Sequence, residues 1–529
     1  MFTFKLLPKV APGSRSDQEE PLLPAELLAE IAKFLFQPSD LVNFCLAFLQ
    51  SRIAYTAALP VLWTSLSFNG GKCQMSLESL LHRPERTMGV KKLFLRPGYL
   101  REPTPETLAQ ESLISNNLDA LLPNFHSLQT FVWDGLEAPD EKVWKALLES
   151  CKQIRHINTT ITEHQLSEDS ALFSFSDLVA FSLATKYKWR GHQGFRDVVA
   201  ENFPAAMWDM LIDRCPHLQE LALGGPGTSL TTRLFNARRL CKGRWPQLQS
   251  VSLGHVLLYD RELPAFDQDE DINSFKNFIR YHRKTLKRLQ LPYSTKIPQL
   301  TSENLELESF SGNIPYLIDL LPLDSLRELI LCSEEHAAWY IPYLRRVLLR
   351  FPALTTLVIW INLSSRIEDP TVEQDTDHIR IFYSILQTCP NLHHFKVLCS
   401  TKTKRGFQMK DFHKALKDGP NLRTLEVYKV YTLGEEDMVQ SAANIVRQLP
   451  SLEQIILRYT TDPWSFYERM VLRQTGIYQT VYGKKSKEPV RLSAREEGAG
   501  LFKRFSRKYE HNLVPLRTRM FSGFNNDDD

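Results

Sequence analysis

A short apolar phrase, L-x-x-L-x-L, recurs along most of the chain at a mean spacing of about 30 residues. One copy comprises Leu218, Leu221 and Leu223, with Pro216 two positions before it. Proline precedes the phrase in the same way at Pro246, Pro352, Pro390, Pro420 and Pro450. Successive side chains of a β-strand point to opposite faces, so Leu221 and Leu223 share one face while Glu220 points the other way. Each copy therefore predicts a short strand with one apolar face.

The segments between the phrases carry apolar residues at helical spacing. Trp208, Leu211, Ile212 and Cys215 fall at i, i+3, i+4 and i+7, which puts them on one face of a helix. Pro216 cannot continue that helix and biases its predecessor toward an extended backbone. The repeating unit is therefore a helix, a proline turn and a strand. Stacked units of this kind predict an α/β solenoid with a parallel sheet on the concave side and helices outside.

The pattern resembles the leucine-rich-repeat family, of the long, helix-containing kind found in ribonuclease inhibitor. The resemblance covers about Val90 to Thr460, and we expect the solenoid to span residues 85–482. No single phrase is specific, so the resemblance depends on recurrence along the chain. It implies an irregular leucine-rich-repeat solenoid in which each leucine packs in the core and neighbouring repeats cover one another.

Residues 21–68 do not follow the repeat and predict three short helices instead. A second helix is expected to follow the N-cap residue Ser39, and a third to end before Pro60. The first helix carries one apolar stripe, formed by Leu27, Leu28, Ile31, Phe34 and Leu35. A unit of this size holds more apolar residues than it can bury alone, and apolar patches left exposed in this way mark interaction sites.

The same segment resembles an F-box. Three motifs match that family in order: Leu23-Pro24-x-Glu26-Leu27-Leu28-x-x-Ile31, Asp40-Leu41 and Leu62-Trp63. An F-box followed by leucine-rich repeats resembles the substrate-recognition subunits of SCF-type cullin–RING ubiquitin ligases. The resemblance implies docking on a Skp-type adaptor, association with a cullin scaffold and capture of a protein target by the repeats. The residues it implies for the adaptor contact, or for holding the docking helices, are Leu23, Pro24, Leu27, Leu28, Ile31, Leu41 and Trp63.

A second interpretation of the N-terminal helices stays open. Solenoids need a cap that seals the first repeat, and residues 21–68 could serve that purpose alone. The chain would then be a non-catalytic leucine-rich-repeat scaffold or binding protein. The sequence favours adaptor docking, because the order and spacing of the motifs go beyond what a cap requires.

The strand positions that point away from the leucines are expected to form the concave face and to contact a protein target. The charged candidates on this face are Glu220, Arg288, Glu328, His394, Lys396 and Glu426. Acidic and basic residues are mixed there, which suits a protein ligand better than a phosphate backbone. The chain has 64 basic and 61 acidic residues, a net charge of +3, so we expect no nucleic-acid partner.

Composition and motifs argue against catalysis. Hydrophobic residues make up 43% of the chain and charged residues 24%, as in a globular protein with a large core. The eight cysteines form no CxxC pair, which favours reduced thiols over a zinc site or a disulfide frame. The sequence contains no phosphate-binding loop, HExxH helix or GxSxG elbow. We therefore expect a non-enzymatic protein with no metal and no cofactor.

The remaining expectations concern location and the chain ends. No stretch offers the roughly 20 mostly apolar residues that a membrane span requires, and Met1–Glu20 lacks the apolar core of a secretory signal. We expect no membrane partner and a cytoplasmic or nuclear location. Residues 1–20 are expected to be disordered, and residues 483–529 to form a basic, flexible tail. An acidic loop is expected at Asp260–Asp271.

Overall fold

The computed structural model shows a long, mostly parallel sheet with helices packed against its apolar side. The structure describes residues 24–34, 44, 61, 63–97, 104–162, 166–185, 201–224, 235–254, 256–257, 265–291, 305–313, 317, 323–336, 344–362, 378–400, 409–419, 421–430, 437–460, 472–482, 489–499 and 504–512. The predicted segment 1–20 and the expected second and third N-terminal helices lie outside this part of the chain, apart from isolated residues.

The strands of the described chain, in order, are β1 (Ser65–Asn69), β2 (Lys92–Arg96), β3 (Thr130–Trp133), β4 (His156–Ile161), β5 (Ala180–Thr185), β6 (Glu201–Asn202), β7 (Glu220–Leu223), β8 (Phe235–Asn236), β9 (Ser250–Leu253), β10 (Val256–Leu257), β11 (Arg288–Gln290), β12 (Ser309–Gly312), β13 (Glu328–His336), β14 (Thr356–Asn362), β15 (His394–Ser400), β16 (Thr424–Val430), β17 (Gln454–Thr460), β18 (Leu472–Tyr482), β19 (Pro489–Ala499) and β20 (Arg504–Asn512). Strands β6, β8 and β10 form a small separate sheet. The others pair in chain order, in parallel as far as β17 and then antiparallel.

The α-helices whose two ends lie among the described residues are α1 (Ala25–Phe34), α2 (Lys72–Leu81), α3 (Pro105–Leu121), α4 (Glu141–Ser150), α5 (Ala205–Asp209), α6 (Ala265–His282), α7 (His378–Thr388), α8 (Met409–Ala415) and α9 (Met438–Gln448). From α2 onward they fall between successive strands, as the repeating unit predicts. The expected α/β class with a large parallel sheet is confirmed.

The core is one continuous layer between the strands and the helices. Leu357, Phe395, Leu425 and Ile455 lie opposite one another in the register of β14 to β17, and each is at most 1% exposed. Helix and strand side chains meet directly in this layer, as where Trp144 of α4 packs edge-on against Phe131 of β3. Burial of these rows stabilises the fold, at about 1.5–3 kcal/mol for each large apolar side chain.

Proline turns connect several helical segments to the strands that follow them. The backbone N–H of Leu218 donates to the carbonyl of Cys215 at 3.2 Å, so Pro216 lies at the second position of a tight turn, where its fixed φ fits. Residues Leu354 and Leu392 make the same bond to Phe351 and Cys389. The recurrence of proline in the sequence therefore has a direct structural cause.

Side chains that follow some of these prolines join neighbouring turns. The amide Nδ2 of Asn391 donates to the carbonyl of Pro352 at 3.0 Å, and that of Asn421 donates to Pro390 at 2.9 Å. The hydroxyl of Ser451 donates to the carbonyl of Leu422 at 3.0 Å. These bonds satisfy carbonyls at the turns and fix the stacking of one repeat on the next.

Three segments differ from the expectations. The sheet begins at Ser65, inside the segment 21–68 that we assigned to the N-terminal helical unit, because Leu66 alternates into the core. The expected tail 483–529 contains β19 and β20, where Leu492 and Ala494 are buried by the same alternation. Most of the expected acidic loop lies in α6, because its acidic residues precede the buried stripe Phe275, Phe278 and Ile279 on one continuous helix.

One tightly packed corner lies at Gly243. Trp245 is 1% exposed, its Nε1 donates to the carbonyl of Leu211 at 2.8 Å, and its ring packs against Phe278. A Cβ atom on Gly243 would lie 2.2 Å from Cη2 and Cζ3 of this indole. The backbone of Gly243 is extended, with φ −64°, so only the indole opposes a larger residue.

Gly243→Ala is therefore expected to lower the free energy of unfolding by about 2 kcal/mol, because the added methyl group would overlap a buried, hydrogen-bonded indole ring. Gly89→Ala is the matched control, because a Cβ atom there meets nothing within 4 Å, and it should change stability by less than about 0.5 kcal/mol. Denaturant unfolding followed by circular dichroism measures both. Equal stability of the two variants would contradict the packing described.

The buried histidine His282 makes stability depend on pH. It is 1% exposed, packs against Trp245 and Phe278, and has its pKa lowered to about 4, chiefly by burial, with the nearby charge of Arg244 adding to the effect. The unfolded chain, with an ordinary pKa near 6.5, binds the proton first as the pH falls. Stability is therefore fully present above about pH 6.5 and is lost as the pH falls toward 4.

Between pH 6.5 and 4 this residue is expected to remove roughly 2–3 kcal/mol of stability. His282→Gln should flatten that part of the stability profile, because the amide does not titrate. His217→Gln, at an exposed position, is the control and should keep the wild-type slope. A set of thermal unfolding curves across this pH range checks the prediction, and an unchanged slope in His282→Gln would disprove it.

Candidate partner-binding surfaces

Helix α1 has two apolar faces with different surroundings. Leu28 and Ala32 are 1% and 0% exposed, so this face is packed. Leu27 and Ile31 are 50% and 39% exposed, and their spacing of four residues puts them next to each other on the helix surface. A helix that only covers a core needs one apolar face. The second face therefore offers apolar contact area to a partner.

Trp63 of the closing motif turns inward. It is half-buried and packs against the continuous core, and the guanidinium carbon Cζ of Arg86 lies 5.1 Å from the centroid of its ring. Pro24 is exposed at the start of α1, where its carbonyl accepts the N–H of Leu28 at 3.1 Å. Leu23 and Leu41 lie outside the described residues. Of the residues expected at the adaptor contact, Leu27 and Ile31 are thus exposed, whereas Leu28 is buried and Trp63 is half-buried.

The surface of the sheet opposite the core, here called the open face, carries the residues that we expected to bind a target. Arg288 Nη2 lies 2.6 Å from Glu220 Oε1, although the two residues are 68 positions apart, because β7, β9 and β11 are neighbours. Glu328 Oε2 accepts a hydrogen bond from Ser309 Oγ at 2.7 Å. His394 is exposed at the start of β15. The structure therefore joins two of the six expected residues into an exposed ion pair.

A denser group, here called the Glu426 cluster, comprises Lys396, Glu426, Tyr428 and Arg458. Lys396 Nζ lies 3.2 Å from Glu426 Oε2, and Arg458 Nε lies 3.3 Å from Glu426 Oε1. Lys396 Nζ and Arg458 Cζ each lie 4.9 Å from the centroid of the Tyr428 ring. One carboxylate and one aromatic ring therefore hold two cations together.

Tyr428 is 8% exposed, yet it lies outside the continuous core, on the open face of β16. Burial raises its pKa, and the hydrogen bond and negative charge of Glu426 raise it further, while Arg458 acts in the opposite direction. The phenol therefore stays protonated at neutral pH. It serves the cluster as a hydrogen-bond partner and as a ring beneath the cations.

Sequence reasoning found Lys396 and Glu426 but missed Tyr428 and Arg458. The phrase L-x-x-L-x-L ends before both of them, whereas β16 and β17 continue to Val430 and Thr460. The alternation that identified Glu426 extends by two residues to Tyr428, and in β17 it reaches Arg458 in the same way. Following the alternation past the last leucine would have found both residues.

The described residues hold no metal-ligand cluster, and four of their buried cysteines have raised pKa values. No group of three or more potential ligand side chains occurs among them. Burial raises the pKa of Cys73 and Cys215 to about 11 and that of Cys151 and Cys389 to about 12. These thiols are protonated at neutral pH and are poor nucleophiles. In the same part of the chain, every helix is too short or too polar to cross a bilayer.

Comparison with known proteins adds little. No protein-family model matches the chain, and none of the curated proteins does. Among solved structures, the Rad7–Elc1 complex from yeast aligns at 14% identity and a TM-score of 0.40, over 78% of this chain and 88% of that chain. The TLR13–ssRNA13 complex aligns at 12% identity and a TM-score of 0.24, over 76% of this chain and 55% of that chain. Similarities this weak establish neither a family nor a function.

The two ion-paired sites should contribute unequally to stability. Glu426 is 16% exposed and separates two cations, so Glu426→Gln is expected to lower the free energy of unfolding by about 1–2 kcal/mol. Glu220 is 53% exposed and faces one cation, so Glu220→Gln should cost less than about 1 kcal/mol. Denaturant titration of the two variants measures the difference, and a larger loss in Glu220→Gln would refute this account of the cluster.

Proposed function

We propose that this protein is a substrate-recognition subunit of an SCF-type cullin–RING ubiquitin ligase. It docks on a Skp-type adaptor through the exposed side of α1, and it holds a protein target on the open face of the repeats. The observation that carries the proposal is the second apolar face of α1, where Leu27 and Ile31 are exposed while Leu28 and Ala32 are buried. The F-box resemblance of the same residues gives that face its partner.

In this role the chain performs no bond chemistry. The adaptor and the cullin scaffold bring the ubiquitin-carrying enzyme close to the target that the repeats hold, and proximity raises the rate of transfer. The raised pKa of the buried thiols and the charge pairing of the open face agree with a binding subunit. We expect it to act in the cytoplasm or the nucleus.

A second candidate is a scaffold or binding protein whose N-terminal helices only cap the repeats. The packing of Trp63 against the core of the repeats favours it, because such a contact is what a cap requires. The two candidates differ in what the exposed face of α1 does. Adaptor docking gives that face a partner, and a cap leaves it in water.

The experiment mixes the full-length chain with a purified Skp-type adaptor and measures complex formation by size-exclusion chromatography and isothermal titration. The double variant Leu27→Asp, Ile31→Asp should weaken binding by a factor of ten or more, because two apolar side chains that the adaptor would cover become charged. Its thermal unfolding should match the wild type, because both side chains are exposed.

Leu113→Asp is the matched control. Leu113 is a leucine on α3 that is 42% exposed, and the same substitution there should leave adaptor binding unchanged. A wild-type chain that forms no complex with the adaptor would overturn the proposal in favour of the cap. Equal weakening by Leu113→Asp would show that surface charge, and not the face of α1, controls binding.

A further inference from the structure

The open face has a distinct chemistry where β15 to β19 lie side by side. The register aligns Lys396, Glu426, Ile456, Ile477 and Arg495 in one row across these five strands. Ile456 and Ile477 are half-buried, and Arg495 is exposed. Two isoleucine side chains therefore lie next to the Glu426 cluster on the same surface.

We infer that this surface binds an acidic segment of the target protein, with a target carboxylate on Lys396 and Arg458 and an adjacent apolar side chain on Ile456 and Ile477. The inference rests on the proposed function, since it names the chemistry of the target that the repeats hold. It concerns the C-terminal part of the open face and does not involve α1.

The charge of the cluster favours an anion. Lys396 and Arg458 carry two positive charges, and Glu426 carries one negative charge between them. The cations are also the more accessible members, with side chains 34% and 28% exposed against 16% for Glu426. The structure therefore buries the carboxylate and leaves an excess positive charge toward the ligand side, which steers and orients an acidic partner.

Donor capacity remains at the same place. Arg458 faces Glu426 through Nε, at 3.3 Å from Oε1, and this contact does not use the terminal nitrogens Nη1 and Nη2 of the guanidinium. A guanidinium offers five N–H donors in a planar fork that fits a carboxylate with two parallel bonds. Lys396 Nζ and the guanidinium of Arg458 both contact the ring of Tyr428, which restricts the two side chains before a ligand binds. Little side-chain freedom is therefore lost on binding.

The surroundings argue for a discrete acidic residue and against a polyanion. Thr356 and Val358 occupy the open face of β14, and Thr424 and Gln454 precede the cluster in β16 and β17. A phosphate backbone needs a continuous basic stripe, whereas here uncharged residues separate the cluster from the next cation along the row. The neighbouring isoleucines instead match an apolar residue next to the acidic one.

The test uses a defined probe, a fluorescein-labelled peptide of repeated Glu-Ile-Ser units, and a matched peptide with Gln in place of Glu. Fluorescence anisotropy with the full-length chain should show binding of the Glu peptide, weakening with added salt, and at least about tenfold weaker binding of the Gln peptide. Lys396→Glu with Arg458→Glu should weaken the Glu peptide by a similar factor. If this pair fails to fold, Lys396→Gln with Arg458→Gln should give the same direction of change.

Arg423→Glu is the matched control. Arg423 is an exposed cation paired with Glu453 at 3.6 Å, and it lies just before β16, outside the cluster. The inference would be overturned if Arg423→Glu weakened binding of the Glu peptide as much as the double variant at Lys396 and Arg458 does. It would also be overturned if the wild-type chain bound the two peptides equally, or did not bind the Glu peptide. The Leu27→Asp, Ile31→Asp variant should bind the peptide as the wild type does. A wild-type chain that binds the adaptor but not the Glu peptide would therefore reject this inference alone. A wild-type chain that binds the Glu peptide but not the adaptor would reject the adaptor proposal alone.

Discussion

The fold depends on the burial of alternate strand residues that no repeat can cover by itself. Leu221 and Leu223 on β7 lie in a core that continues into the repeats on both sides, and its rows are almost fully buried. Since each repeat contributes one strand and one covering segment, stability is shared between neighbours. The same arrangement leaves the opposite sheet surface outside the leucine core, so its side chains form pairs and clusters of their own.

A shared core must be closed at both ends. At the start, Leu28, Ala32 and Trp63 are buried or half-buried, and Trp63 packs against the core. At the end, β18, β19 and β20 turn the sheet antiparallel, and Tyr478, Leu492 and Ala494 close the last leucine row. Further along the chain toward the N-terminus, α1 buries Leu28 and Ala32 and exposes Leu27 and Ile31, and this exposed pair is the face that we propose for adaptor docking.

On the open face, the pairing of strands brings together side chains that are far apart in the sequence. Neighbouring strands lie about 4.8 Å apart, so side chains one repeat distant meet directly. Glu220 and Arg288 pair across 68 residues, and Lys396, Glu426 and Arg458 meet from three successive strands. The Glu220–Arg288 pair is exposed to solvent and contributes little to stability, whereas the Glu426 cluster is partly buried around Tyr428. A ligand therefore meets an ordered set of charges at one end of the sheet.

The sequence alone determined the repeating unit, the parallel sheet and which strand residues face the core, because alternation and proline turns are local patterns of a few residues. It also named Glu220, Arg288, Lys396 and Glu426 as residues of one surface. Only the tertiary structure decided that Leu27 faces outward while Leu28 packs inward, and that Tyr428 and Arg458 complete a cluster with Glu426. Those outcomes depend on strand length, on register and on which side of α1 is covered. Such contacts form between residues distant along the chain, and no local pattern encodes them.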